Sequence, residues 1–281
     1  MKSSKPRRVP SILAAGTSVV AVALVGSLVA LGSDASAAPV AVGLGAAGSF
    51  AVLAGTGITN TGPTVITGDI GTFPTASITG LTSMTVSGTN HAGDSVTQGA
   101  KTDLTTAYTS AAGQGPTTAI AADLVGQTLK AGVYNSASAV GLSGVLTLDA
   151  AGDPGAVWVF QAGSTLITAS GSKVVLLNGA QACHVYWQVG SSATLGTNST
   201  FTGTVLALTS ISLQTGATVD GRVLASNGAV TLDSNTITRS ACSTATSAPT
   251  ASPSTSATAT PTPQVTATPR GPVGTGDDST G

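Results

Sequence analysis

Gly203-Thr204-Val205-Leu206-Ala207 and Gly221-Arg222-Val223-Leu224-Ala225 repeat one pattern eighteen residues apart, from 203 to 221. The same step carries Thr197-Asn198-Ser199-Thr200 onto Thr215-Gly216-Ala217-Thr218, and once more onto Asp233-Ser234-Asn235-Thr236. Each unit within residues 193–237 has two short β-rich runs with a small polar turn between them. A fixed period of this size, with β-branched runs and Gly/Asn/Ser corners, reads as coils of a β-solenoid. Residues one period apart then stack about 4.8 Å apart along the axis. The repeated threonines are expected to form ladders on the outside of one face.

The pattern extends outward in both directions. Ser49-Phe50-Ala51-Val52-Leu53-Ala54 and Thr64-Val65-Ile66-Thr67 read as strands, with a turn over residues 60–63, and residues 75–86 supply one or two more. Gly132-Val133-Tyr134, Val145-Leu146-Thr147-Leu148 and Ala156-Val157-Trp158-Val159-Phe160 continue the series. Residues 165–172 align with residues 194–201 at an offset of 29, which makes that coil longer than its neighbours. Residues 91–113 differ. Val96, Ala100, Leu104, Ala107, Tyr108 and Ala111 form a helical stripe, with Asp94 or Ser95 as N-cap and Gly113 as the stop. Residues 119–125 are read as one further helical turn.

The termini are of another character. Lys2, Lys5, Arg7 and Arg8, an apolar stretch over residues 12–31 and Ala35-Ser36-Ala37 make residues 1–37 a signal peptide, so the protein is expected to be secreted or extracellular. The apolar stretch is long for that role, and an uncleaved anchor is the competing reading. Residues 38–242 form the solenoid domain. Residues 243–281, rich in Ser, Thr and Pro, are expected to be a disordered tail or stalk. An exported chain with two cysteines, Cys183 and Cys242, suggests one disulfide, two buried thiols being the other reading.

Composition narrows the function classes. The 281 residues carry a net charge of −1, so no field draws in nucleic acid. Only 7% of residues are charged, against roughly 25% in an ordinary domain. No glutamate occurs anywhere, and the aspartates are scattered. A carbohydrate-cleaving β-helix needs clustered carboxylates or bound Ca²⁺, so no catalytic residues, cofactor or metal are assigned. His91 and His184 stand in no nucleophile motif, and the two cysteines lack zinc-site spacing. Trp158 and Trp187 read as core packing rather than sugar-stacking platforms.

With these segments in place, the chain resembles the microbial ice-binding family of discontinuous β-solenoids. The likeness rests on Phe50-Ala51-Val52-Leu53-Ala54-Gly55, Gly68-Asp69-Ile70-Gly71, Asp103-Leu104-Thr105-Thr106-Ala107-Tyr108, Trp158-Val159-Phe160-Gln161 and Asn227-Gly228-Ala229-Val230-Thr231-Leu232. It implies a mainly β fold: a right-handed solenoid of triangular section, one long α-helix alongside, and N- and C-terminal coils interleaved. It also implies that the partner is an ice crystal surface rather than a small-molecule substrate; a monomer is expected. Adsorption through one flat face with Thr-(Ala/Gly)-x-(Thr/Asn) motifs would inhibit ice growth and recrystallisation. Thr56, Thr59, Thr215 and Thr218 stand in full motifs; Thr197 and Thr200, Thr168, and Thr236 stand in partial ones. Residues i and i+3 share no face of a regular strand, so the motif requires a bend between its two threonines. The alternative is a cell-surface adhesin or matrix solenoid without ice activity.

Overall fold

The computed structural model describes residues 38–243. The signal peptide assigned to residues 1–37, and all of the expected tail but Ser243, lie outside the described residues. Every strand pairing is parallel, and the coils stack into a right-handed β-solenoid with three faces. We call them the covered face, the open face and the mixed face, in the order in which each coil visits them.

Coil order in space is not chain order. Strand Phe50–Ala54 pairs with Thr218–Ala225, placing Val52 beside Val223 and Leu53 beside Leu224. Gly57–Thr61 pairs with Ala229–Asp233, and Thr64–Thr67 with Thr236–Thr238. The first coil of the chain therefore docks on the last, as expected of interleaved ends. The eighteen-residue step holds from residues 185–202 onward: Tyr186 faces Thr204, and Thr204 faces Arg222. Gly221 lies where the mixed face turns into the covered face, with φ 155°, and a Cβ there would sit 1.9 Å from the Gly203 carbonyl oxygen. Coils meet too closely at this corner for any side chain.

The longer coil has an offset of 27, not 29. Leu166 pairs with Ala193, Lys173 with Thr200 and Trp158 with Val185. Its extra residues form the loop after Lys173–Leu177 and the 3-10 turn Ala182–His184. Cys183 in that turn is disulfide-bonded to Cys242, with Cα atoms 5.4 Å apart.

The solenoid interior is apolar. Tyr134, Phe160 and Trp187 stack in register, with centroids 5.4 and 4.0 Å apart, and Trp187 meets Phe201 at 5.0 Å. Trp158 and Trp187 are buried, and their indole N–H groups donate to the Leu129 and Thr202 carbonyls. Both are core residues, as read from the sequence.

Helix Ser95–Ala112 lies along the covered face. Asp94 caps it, its carboxylate accepting the Thr97 N–H at 2.8 Å, and Gly113 follows its end. The buried stripe is Thr97, Ala100, Leu104, Ala107 and Ala111, against Phe50, Leu53, Val159, Tyr186, Leu206 and Leu224. Val96 points to solvent, because the helix turns Thr97 inward in its place; the Thr97 hydroxyl donates to the His91 carbonyl. The Gln161 amide donates to the Ala111, Ala112 and Gln114 carbonyls, satisfying acceptors a helix end leaves open. Residues 119–125 form no helical turn. Thr118–Ala119 is a short strand beside Tyr134 and Asn135, and Asp123 bridges to Gly141. Stacking on the next coil overrides the local helical preference of its alanines.

The open face as candidate functional site

The open face is a seven-stranded parallel sheet. Four of its strands have apolar side chains on both sides of one outward position: Val140-Gly141-Leu142, Ala193-Thr194-Leu195, Ile211-Ser212-Leu213 and Val230-Thr231-Leu232. Inward residues such as Ile211, Leu213 and Val230 are buried. Alternation then sends the middle residue out. Register joins these positions into one ladder: Gly141, Ile167, Thr194, Ser212, Thr231, Thr59 and Thr79. The Thr231 hydroxyl donates to the Ser212 oxygen at 3.0 Å.

A second row runs along the rim towards the mixed face. Thr197, Thr215 and Asp233 follow one another at the eighteen-residue step, and Thr61 faces Asp233. Thr197 donates to the Gln214 amide oxygen, and Thr215 to the Asp233 carboxylate. A shallow trough of about 440 Å³ lies between the two rows, bounded by Thr59, Thr231, Thr197, Thr215 and Gln214. Asp233 is the one charged residue on the open-face strands.

Bends separate this rim from the mixed face, as the motif requires. Asn198, Gly216 and Ser234 have φ values of 53°, 72° and 54°, a left-handed conformation that suits Gly and Asn. Beyond the bend, Thr200, Thr218 and Thr236 stand side by side in register on the mixed face, between Lys173 and Val65.

The eight sequence-derived threonines therefore do not share one surface. Thr59 is in the open-face ladder, and Thr197 and Thr215 are on its rim. Thr56 is exposed at the opposite corner, where its N–H donates to the Gly228 carbonyl. Thr200, Thr218 and Thr236 belong to the mixed face. Thr168 is a correction: it is 3% exposed, and its hydroxyl accepts the Gly196 N–H at 2.9 Å inside the coil. It pairs with the buried Leu142. The offset of 29 had equated Thr168 with Thr197, whereas the true offset of 27 places Ser170 there. Thr194, Ser212 and Thr231 belong to the ladder but stand outside the Thr-(Ala/Gly)-x-(Thr/Asn) motifs. Their signal is the apolar-x-apolar triplet: Ala193-Thr194-Leu195, Ile211-Ser212-Leu213 and Val230-Thr231-Leu232.

Two other clusters bear on chemistry. Ligand atoms of Cys183, His184 and Cys242 lie close together, but both sulfurs are committed to the disulfide. Asp149 is held well below the usual carboxylate range, at about 2, by the Lys130 ammonium, the Ala151 N–H and the Asn178 amide. It lies on the mixed face, away from the ladder.

The fold and this face define a solenoid that presents an ordered, uncharged ladder in which five of seven outward positions, Thr194, Ser212, Thr231, Thr59 and Thr79, carry hydroxyls. The chain belongs to the ice-binding-like family, which it matches over residues 52–238. A Nostoc sp. ice-binding protein is 49% identical over 214 residues, covering 75% of this chain and 78% of that protein. A Colwellia sp. ice-binding protein is 38% identical over 233 residues, covering 76% and 89%. Among solved structures, an ice binding protein from an Antarctic biological consortium matches with a TM-score of 0.72 at 47% identity, covering 73% of this chain and 94% of that one. One from the ascomycete Antarctomyces psychrotrophicus gives 0.69 at 49% identity, covering 71% and 98%. These relatives are named as ice-binding proteins, not as enzymes.

Proposed function

We propose that this protein is exported and adsorbs to ice through its open face, slowing ice growth and recrystallisation. Membership of the family and the names of its relatives support the activity. The observation that carries the choice of face is the in-register ladder from Gly141 to Thr79 on a sheet with a single charge. Adsorption to a crystal requires many weak contacts held in register at once. The parallel sheet spaces rungs about 4.8 Å apart, and alternate residues along a strand lie roughly 6.7 Å apart. Threonine adds a hydroxyl that holds water and a methyl that limits hydration. Its β-branch stiffens χ1, so little side-chain entropy is lost on adsorption. Ammonium and carboxylate groups keep tight hydration shells that disturb such a match.

The helix leaves the open face free, because it covers a different side of the solenoid. The basic, apolar and Ala-Ser-Ala segments of residues 1–37 support export. The test is thermal hysteresis and recrystallisation inhibition on Thr59→Tyr/Thr231→Tyr. Loss of both in a folded protein supports the open face. Unchanged activity moves the site elsewhere, and an inactive, folded parent leaves the adhesin reading.

A further inference from the structure

A groove of about 670 Å³ runs between the helix and the corner where the covered face meets the open face. That volume is in the range of small-ligand sites. Lys101 lies at its floor. The ammonium donates to the Ala225 carbonyl at 2.6 Å and to the Ser226 carbonyl, and among the described residues it has no carboxylate partner. The two carbonyls meet part of its hydrogen-bonding capacity but leave the half-buried charge without a counter-ion. Burial pulls its pKa down to about 8, so it is still mostly charged at neutral pH.

The walls specify the rest of the ligand. Thr102, Thr105 and Thr106 each donate their hydroxyl to the carbonyl four residues earlier, which leaves oxygen lone pairs free to accept. The Gln98 and Asn227 amides, also in the walls, offer donors and acceptors. Phe73 and Pro74 supply an apolar strip on the solenoid side. A ligand that suits these groups has one negative charge, several O–H donors and a C–H face. The geometry points to a binding site for an acidic saccharide, a hexuronate whose carboxylate pairs with Lys101 while its hydroxyls donate to the threonine wall. A dianion such as phosphate fits less well, because the groove holds a single cation.

This site is independent of the open face. The test is an NMR titration of the full chain at pH 7 with methyl α-galacturonoside, and with methyl α-galactoside as the neutral comparison. Saturable shifts at the Gln98, Thr105 and Asn227 amides are expected with the galacturonoside. The galactoside should bind at least about tenfold more weakly. Affinity for the galacturonoside should fall about tenfold between pH 7 and pH 9, as Lys101 loses its proton; among the described residues no other titratable side chain lines the groove. Lys101→Met should abolish binding. Thr105→Trp, which fills the groove from the helix side, should do the same while leaving thermal hysteresis intact. If Lys101→Met does not fold, Thr105→Trp and the pH series decide. No response to the galacturonoside, an equal response to the galactoside, or an affinity unchanged at pH 9 overturns the proposal.

Discussion

The open and mixed faces are built by the same coils with the same parallel pairing, yet their surfaces differ. The outward ladder of the open face is small and uncharged, with Ile167 as its single large aliphatic. The mixed face sets Lys173, Asp149 and Asp220 among exposed Val145, Val175 and Leu177. It also contains the more regular threonine run, Thr200-Thr218-Thr236. On the proposed assignment of the open face, a threonine ladder does not by itself mark the adsorbing surface. On the mixed face the run ends at a lysine on one side and a valine on the other, and cross-strand pairing stabilises it. On the open face hydroxylated outward residues run unbroken from Thr194 through Ser212, Thr231 and Thr59 to Thr79.

The sharpest way to break this comparison is a matched pair of double variants. Thr59→Tyr/Thr231→Tyr should remove most of the thermal hysteresis, because two bulky rings lift a flat surface off its target. Thr200→Tyr/Thr236→Tyr on the mixed face should leave hysteresis within error. The reverse result would transfer the site to the mixed face. Circular dichroism on both proteins checks that the fold persists.

Stability and adsorption should separate next. Replacing both Cys183 and Cys242 with serine removes a cross-link spanning 59 residues. That should cost about 4 kcal/mol in the chain-entropy picture, read as a lower urea midpoint. Hysteresis per folded molecule should be unchanged, since the bridge lies beyond the mixed face and does not touch the ladder.

The mixed face should also respond to acid where the open-face ladder does not. Asp220 is exposed, yet neighbouring side chains partly desolvate its carboxylate and raise its pKa, so ionised Asp220 opposes folding weakly. The folded state holds this proton more tightly than the unfolded one, and stability falls as pH rises through the carboxylate range. Asp220→Asn should therefore raise the melting temperature at pH 7, and the gain should vanish near pH 3. Asp149 has the opposite sign. Its pKa of about 2 lies below the unfolded value, so its contribution is present above about pH 4 and is lost as pH falls towards 2. Asp149→Asn should flatten that part of the acid-unfolding curve, the smallest of these effects. Urea midpoints at several pH values read both.

Much of the architecture was legible in the chain. The eighteen-residue step, the helix with its Asp94 cap, and the pairing of Cys183 with Cys242 all appear in the structure. The helix stripe was misjudged at Val96, since a stripe read from apolar letters passes over a threonine that can turn inward with its hydroxyl bonded to backbone. The coil offset was misjudged by two, because Thr and Ser are frequent enough to align at several registers. Only strand pairing through Leu166 and Lys173 discriminates among them. That slip is what placed the buried Thr168 among surface candidates.

Taken alone, the sequence determined that this chain coils with a fixed period, carries one amphipathic helix and spends little charge on its surface. Those are local properties: periodicity, capping and composition act over a few neighbouring residues. Which threonines share a surface was decided only in three dimensions. A left-handed residue at each rim corner rotates the fourth residue of the motif onto another face, so Thr215 and Thr218 part company. The N-terminal coil inserts beside the C-terminal one, so Thr59 and Thr231 become neighbours. Contacts between residues so distant in sequence are set by the shape of the stacked core, which no short stretch of chain encodes.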